Sequence, residues 1–327
     1  MTSASGSEPG PALSVVIVTD TLETIARTLE KLRAQTVAER IELVLVTPDA
    51  AGLDVDSAEM DAFWGTQVVE VEEISSLSRA REPGIRMAKA PIVAMAESHT
   101  YHEPGWAEAL LEAHRGPWTV VGPGVTNANP GFALSWANLF LDYGPWLEPE
   151  AGREMTDLPG HNSSYERSAL VTYGPELSSL LEAESFLHAD LRAKGHRLWM
   201  EPGARMAHLN VTLPSSWLRE RIEAGRRFGA ARAAGWSWPQ RLLYAAASPL
   251  IPLVRLPRMV PVWRRCRARN PLPSGLFPAL VVSLIASALG ELLGYAFGSG
   301  DSTERLSLIE LKKEAHLRPQ EHLGEAV

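Results

Sequence analysis

Five runs of apolar and β-branched residues, separated by helical patterns, constrain the fold more than any other feature of the chain. Runs that are apolar on both faces are typical of strands covered on both sides. Between the first two runs, one face of a predicted helix carries apolar side chains at positions 22, 25, 29 and 32. This alternation predicts an α/β fold with a mostly parallel central sheet flanked by helices. The runs are residues 13–18, 41–46, 67–71, 92–96 and 118–122.

The fourth run ends in an acidic tripeptide, Glu97-Ser98-His99, which enters a turn before Pro104-Gly105-Trp106. Open α/β sheets bind their ligands at the carboxyl ends of their strands. A carboxylate and an imidazole two residues apart can both reach one divalent cation. The sequence therefore predicts a cation site here, and such a cation could hold a diphosphate.

The charge of the chain is strongly asymmetric, although its net value is only −8. Residues 219–269 contain twelve arginines, no lysine and two glutamates. Such a block favours a polyanionic partner, and the apolar stretches beside it favour an anionic membrane surface. Nucleic acid is not expected, because aromatic interleaving and a nucleic-acid-binding motif are missing. The single cysteine, Cys266, is typical of a reducing compartment.

Two apolar stretches follow the arginines. Residues 242–262 contain four prolines, which argues against a regular spanning helix and favours a position in the membrane interface. Residues 276–297 are long enough to span a bilayer and carry one charge, Glu291. The basic linker between the stretches should stay cytoplasmic, so only the second could cross. The alternative is a soluble helical subdomain packed on the sheet.

The pattern divides the chain into five parts. We expect a disordered start, an α/β domain that carries the cation site, a basic amphipathic helix, an apolar membrane-associated segment and a charged C-terminal tail. Their bounds are residues 1–11, 12–215, 216–240, 241–300 and 301–327.

Several segments, taken in order and spacing, resemble family 2 glycosyltransferases over residues 13–210. The segment 79–85 is similar to their A-R-N-x-G-I motif, and 92–106 to the strand that ends in D-x-D and continues to P-G-W. The segments 158–165 and 184–195 resemble their acceptor-side turn and their catalytic helix. The resemblance implies a GT-A fold and an inverting, metal-dependent enzyme. It would move a sugar from a nucleotide-diphosphate donor to a lipid-linked or polymeric glycan, such as one of the cell envelope, at the cytoplasmic membrane face.

The D-x-D correspondence assigns Glu97 and His99 to the metal and the diphosphate, and the late histidine of the family corresponds to His208. Neither flanking residue is an aspartate here. The resemblance implies Mn²⁺ or Mg²⁺, and an imidazole ligand shifts the preference toward Mn²⁺ or Co²⁺. Alternatively, His99 only hydrogen-bonds a loop.

The donor side is assigned by the same correspondence. Arg81 is a candidate contact to a donor phosphate or ribose, or else a solvated helix arginine. Ser98 could touch the ribose. Thr19 and Asp20 end the first strand near the expected base, although Asp20, followed by Glu23, could instead cap the helix. Asp49 could accept a hydrogen bond from the base or belong to a simple turn.

Glu184 occupies the position of the family's catalytic base, with Glu182 as the second candidate and Ala183 where the family has an acidic residue. The alternative is a surface carboxylate paired with Arg192 or Lys194. His161 and Asn162 would orient the acceptor. The altered metal and base motifs leave a second function open: a degenerate relative that binds a nucleotide sugar without transferring it.

Overall fold

The computed structural model describes residues 10–53, 55, 58–182 and 184–319. The disordered start and Ala183 therefore lie almost wholly outside the described residues. Within these ranges nine strands form one sheet. They are β1 Leu13–Val18, β2 Ile41–Thr47, β3 Gly65–Glu70, β4 Ile92–Ala96, β5 Thr100–His102, β6 Val120–Asn127, β7 Arg153–Met155, β8 Ser164–Glu166 and β9 Leu198–His208.

The helices cover both faces of the sheet and form a separate layer near the C-terminus. The N-terminal set is α1 Leu22–Arg33, α2 Leu77–Met87, α3 Trp106–Ala113, α4 Ala133–Tyr143, α5 Arg167–Val171, α6 Leu177–Leu181 and α7 Glu184–Ala193. The C-terminal set is α8 Pro214–Arg232, α9 Trp238–Ala247, α10 Ile251–Arg269, α11 Leu276–Phe297 and α12 Ser302–Leu311. A short 3-10 helix, Lys313–His316, follows α12.

The sheet has the order β3-β2-β1-β4-β8-β6-β9-β5, with β7 beside β9. The first four strands in this order pair in parallel, which confirms the strand–helix alternation. The rest is mixed, because β8 runs antiparallel to both β4 and β6, and β9 is antiparallel to β5 and β7. The long strand β9 has an irregularity in its pairing with β6.

The site is positioned by two features of this sheet. β4 is fully paired between β1 and β8, so Glu97 leaves the carboxyl end of a central strand. The short strand β5 then pairs with β9, with Thr100 opposite His208. This register brings the far end of β9 beside the turn that carries His99. Apolar cores fill both faces of the sheet, one around Val16 and Met95 and the other around Ile17 and Trp106.

The C-terminal helices differ from the sequence expectation. The proline-rich stretch forms regular helices, and α10 continues through Pro257 and Pro261. Its position on the surface reduces the cost of the missing backbone donors, since water can satisfy freed carbonyls. Residues expected in a charged tail form α12, which packs on α8.

Helix α11 is the only described helix that is long and apolar enough to span a membrane, with a mean hydropathy of 2.0 over its best window. Yet 56% of that window is buried within the protein. Its one carboxylate, Glu291, is buried and pairs with Arg255 at 2.7 Å. One side of α11 is thus packed against the protein, whereas Phe277, Ile285 and Phe297 of the same helix are more than half exposed.

The close crossing of α8 and α11 depends on glycines of both helices, as the Gly290 and Gly294 spacing suggests. A Cβ atom on Gly290 would lie 2.1 Å from the Ile222 carbonyl oxygen, and one on Gly225 would lie 2.2 Å from that of Ser287. Backbone atoms cannot move away as a flexible side chain can. The two helices must therefore separate if either position gains a side chain.

We expect Gly290→Ala to lower the free energy of unfolding by about 1–3 kcal/mol, because overpacking outweighs the helix propensity that alanine gains. Gly131→Ala is the matched control, since a Cβ there meets nothing within 4 Å. Denaturant unfolding of both variants measures the difference. A Gly290→Ala protein as stable as the control would contradict the close helix crossing.

Candidate active site

Glu97 is the centre of a buried polar cluster at the carboxyl edge of β4. Its Oε2 accepts hydrogen bonds from Asn162 Nδ2 at 2.6 Å and from the Tyr143 hydroxyl at 3.1 Å. The Nε2 atoms of His208, His161 and His99 lie 3.6, 3.8 and 3.9 Å from the same oxygen. The predicted convergence of Glu97 and His99 at this edge is therefore present in the fold.

His208 has its free nitrogen directed into the cluster. Its Nδ1 lies 2.9 Å from Asn210 Oδ1, which can only accept, so Nδ1 carries the proton. Burial and the nearby His99 lower the pKa of His208 to about 3, so the ring is neutral. The lone pair of Nε2 then faces His99 Nε2 at 3.1 Å. A hydrogen-bonded second nitrogen is the usual support of a metal-ligating histidine.

A fourth group reaches the cluster from the C-terminal helix. Glu310 Oε2 lies 3.1 Å from His99 Nε2. The Lys313 ammonium lies 2.7 Å from the same Glu310 oxygen and 3.1 Å from Glu220 Oε1. The edge of the sheet is thus covered by protein, although candidate ligands remain grouped beneath that cover.

A chain of hydrogen bonds joins this cluster to Glu184. His161 Nδ1 lies 2.9 Å from Glu184 Oε2, and its Nε2 lies 2.7 Å from the Tyr143 hydroxyl, which bonds Glu97. Both ring nitrogens of a protonated His161 would donate. Glu184 is also 3.9 Å from the Arg81 guanidinium, and neither of its predicted alternative partners, Arg192 or Lys194, contacts it.

The ionisation of these groups follows from their neighbours. Burial disfavours the His161 charge, but Glu184 and Glu97 outweigh it and raise the pKa of His161 to about 9. Burial likewise opposes the charge of Glu97, and the surrounding imidazoles, His161 first, still bring its pKa to about 2. The pKa of Glu184 is lowered, because His161 and Arg81 overcome the effect of burial. Both carboxylates are therefore ionised at neutral pH.

Residues 14–174 match the model of glycosyl transferase family 2. This part of the chain is a family 2 glycosyltransferase domain. A relative of known sequence is EpsH of Bacillus subtilis (strain 168), assigned by name to the glycosyltransferases. It is 32% identical over 103 residues, and the aligned region covers 31% of this chain and 30% of EpsH. The chain thus matches about a third of the length of that relative.

Two solved structures are similar to this chain over part of its length. One is a mannosyltransferase, PcManGT, from Pyrobaculum calidifontis in complex with GDP-Man and Mn²⁺, with 16% identity, a TM-score of 0.48, and coverage of 87% of this chain and 88% of that one. The other is residues 1–349 of TarS from S. aureus, with 14% identity, a TM-score of 0.42, and coverage of 65% and 64%.

The set of ligand atoms at the carboxyl edge of β4 fits a divalent cation. The ligand atoms of Glu97, His99, His208 and Glu310 all lie within 4.8 Å of one another. Two carboxylates and two imidazoles are a mixed set that first-row transition ions accept more readily than Mg²⁺ does. The tautomer of His208 leaves its inward nitrogen free to coordinate. We therefore regard this cluster as a candidate cation site.

The donor-side residues predicted from sequence have different surroundings. Arg81 is only 4% exposed, not solvated, and its Nε has no hydrogen-bond partner among the described residues. Ser98 Oγ lies 3.3 Å from His99 Nδ1. Thr19 is buried and donates to the Thr21 carbonyl. Asp49 accepts from the Gly52 amide at 3.0 Å, as a turn aspartate does.

The start of α1 differs from the expected capping box. The N-cap is Thr21, whose hydroxyl accepts from the Thr24 amide at 3.2 Å. Asp20 instead accepts from the Thr24 hydroxyl and pairs with Lys312 of the C-terminal region. The side chain of Asp20 is thus directed toward residues 310–313, which cover the edge of the sheet.

His161 and Asn162, the two residues predicted on the acceptor side, differ in burial. His161 is partly exposed beside Glu184. Asn162 is fully buried and donates to both Glu97 and Tyr143, so its amide group holds Glu97 in place. The two residues are neighbours on one 3-10 turn, in which Asn162 is buried and His161 is not.

The sequence reasoning missed Tyr143, Glu310, Lys313 and Glu220 as members of the site. Tyr143 ends an apolar helix, where an aromatic residue predicts packing. Glu310 and Lys313 lie one helical turn apart, which is also typical of a solvated surface pair. The one signal in the sequence is that each lies four residues after an apolar residue, Leu306 or Ile309, and therefore on the same side of the helix as that residue.

Proposed function

We propose that this protein transfers a sugar from a nucleotide-diphosphate donor to an acceptor hydroxyl with inversion. The observation that carries the proposal is the buried convergence of Glu97, His99 and His208, linked through Tyr143 and His161 to Glu184. A cation cluster and an ionised carboxylate thereby lie on one hydrogen-bonded network at the carboxyl edge of the sheet. That is the arrangement which a displacement at a sugar carbon requires.

The cation would be held by Glu97, His99 and His208, and it would supply positive charge to the leaving diphosphate. Mn²⁺ fits the mixed nitrogen and oxygen ligands better than Mg²⁺ does. Arg81, buried and positively charged, would add a guanidinium contact to the same phosphates. Thr19 and Asp20 would border the nucleoside, and Ser98 the ribose.

Glu184 would accept the proton of the attacking hydroxyl as general base. Its lowered pKa keeps it ionised, and His161 holds one of its oxygens at 2.9 Å. The other oxygen, 3.9 Å from the Arg81 guanidinium, would face the acceptor, and the partly exposed His161 ring would also contact the acceptor. Base catalysis of this kind contributes about 10²–10⁴-fold to a rate.

Release of labelled sugar from a panel of nucleotide-diphosphate sugars tests the activity directly. We expect turnover with Mn²⁺ and its loss with a chelator. A protein that binds a nucleotide sugar under these conditions but neither hydrolyses nor transfers it would support the degenerate binding protein instead.

We further propose that the C-terminal helices hold the enzyme at an anionic membrane surface, where a lipid-linked or polymeric glycan would be the acceptor. The outer sides of α9 and α10 expose large apolar residues, including Leu243 at 66% and Leu253 at 72%. Among the described residues, Arg258, Arg264 and Arg267 have no ion pair, and they lie on the same helix as Leu253. An apolar face with adjacent arginines suits a peripheral position on anionic lipid.

We expect Leu243→Glu and Leu253→Glu each to weaken binding to phosphatidylglycerol-containing vesicles about tenfold, because a buried leucine contributes about 1.5–3 kcal/mol. Met87→Glu is the control, since Met87 is 53% exposed at the end of α2, away from these helices. Vesicle flotation measures the bound fraction. Equal flotation of all three variants would exclude this surface.

A further inference from the structure

Residues 302–316, here named the C-terminal segment, lie outside the family 2 domain but contact the cation cluster through Glu310. We propose that Glu310 of this segment is an oxygen ligand of the cation. The inference rests on the proposed function, because it assumes that Glu97, His99 and His208 bind a divalent ion. It adds a ligand that the family correspondence does not assign.

The geometry places Glu310 as close to the cluster as its other members. Its Oε2 is 3.1 Å from His99 Nε2, and no pair of the four ligand atoms is more than 4.8 Å apart. Ligands about 2.1 Å from an ion lie up to about 4.2 Å from one another on opposite sides. Small side-chain rotations would therefore bring all four groups around one cation.

The C-terminal segment is fixed at both ends, so Glu310 is held at the cluster by a packed element. Leu306 and Ile309 of α12 are buried, and Ser307 Oγ accepts from the Leu77 amide at 3.2 Å. At the other end, the His316 carbonyl accepts from the amides of Thr212 and Leu213 at 3.2 and 2.9 Å. A rigid support is what a metal ligand requires.

Glu310 would supply a second carboxylate beside that of Glu97. His99 stands where the family resemblance implies a second acidic residue, which leaves one carboxylate among three candidate ligands. Glu310 returns a second carboxylate to the cluster. A second carboxylate adds an anionic oxygen ligand of the kind that suits Mn²⁺, so Glu310 would raise the affinity of the cluster for that ion.

Lys313 stabilises the negative charge of Glu310 at this site. Its side chain is 3% exposed and contacts both Glu310 and Glu220. One ammonium therefore offsets part of the charge of the buried Glu220 and of the partly buried Glu310, whose side chain is 24% exposed. A purely structural role for Glu310 would consist of this ion pair and nothing more, and the test must separate the two roles.

Mn²⁺ titration of the full chain, followed by the electron paramagnetic resonance signal of the free ion, provides that test. We expect Glu310→Gln to weaken Mn²⁺ binding about tenfold or more, since even residues that only orient ligands contribute 10–100-fold. Glu304→Gln is the matched control: it makes the same charge change at an exposed position of the same helix and should bind as the wild type does. Thermal melting checks that each variant is folded.

Three results are decisive. Wild-type Mn²⁺ affinity in folded Glu310→Gln would overturn the ligand role and leave the proposed function standing. Absence of Mn²⁺ binding in the wild type would overturn both. Glu310→Asp separates the ligand role from the ion pair, and also decides if Glu310→Gln does not fold, because it keeps the charge beside Lys313 but withdraws the oxygens; unchanged affinity there overturns the proposal, and weakened affinity supports it.

Discussion

Replacing Glu184 by glutamine is expected to lower the rate of sugar transfer about 10²–10⁴-fold while leaving donor affinity unchanged. The amide oxygen can still accept the hydrogen bond from His161, so the geometry is kept, but it cannot take a proton from the acceptor. Steady-state kinetics on the full chain, with donor binding measured separately, give the two quantities. The loss should appear in kcat.

Glu182→Gln provides the comparison, because Glu182 is the other candidate in the sequence and lies on the surface paired with Arg79 at 2.9 Å. We expect it to transfer sugar at the wild-type rate. Unchanged turnover in Glu184→Gln would remove Glu184 from the mechanism, and loss of turnover only in Glu182→Gln would move the base to that residue.

Replacing Glu97 by glutamine is expected to weaken Mn²⁺ binding about 100-fold and to abolish Mn²⁺-dependent donor binding. Glutamine keeps the size of the side chain and an oxygen for Asn162, but it removes the charge on which the cluster is built. Calorimetric titration with Mn²⁺, alone and with a nucleoside diphosphate, measures both effects.

Glu103→Gln is the control for Glu97→Gln, since Glu103 is exposed a few residues further along the chain. It should bind Mn²⁺ as the wild type does. If folded Glu97→Gln also retains wild-type Mn²⁺ binding, the cation is not held at the end of β4 and the ligand assignment is wrong.

The parts of the fold that were predictable from sequence are those set by local pattern. The apolar runs gave the parallel strands β1 to β4, and Glu97-Ser98-His99 does leave the carboxyl end of a covered strand. The antiparallel insertion of β8 was not predictable, because Ser164–Glu166 is a three-residue strand with no apolar run of its own.

The C-terminal helices depend on tertiary contacts that a local sequence pattern does not show. Proline density correctly describes a poor helix in isolation, yet α10 forms because its carbonyls lie largely at the surface and its inner side contacts α11. Length and apolarity cannot distinguish a spanning helix from a core helix. The tertiary contacts of α11, above all the glycine-mediated approach of α8 and the pairing of Glu291 with Arg255, were not predictable from the sequence.

Some residues of the candidate site could be predicted from local motifs, and others could not. Glu97, His99, His208 and Glu184 were named from motif order, and the structure brings all four onto one network. Tyr143, which connects them, and Glu310 and Lys313, which cover them, come from distant parts of the chain. Nothing in their local sequence indicates that they lie near β4, since only long-range packing of α4 and α12 brings them there.

Thermal unfolding with a panel of nucleoside diphosphates, each with Mn²⁺ or with a chelator, tests most directly whether the edge of the sheet at β4 binds a cation and a diphosphate together. A ligand at 100 times its Kd stabilises the native state by about 2.7 kcal/mol. We predict that at least one nucleoside diphosphate raises Tm with Mn²⁺ and not with chelator. An unchanged Tm for every nucleotide, or the same increase with chelator as with Mn²⁺, would contradict this account.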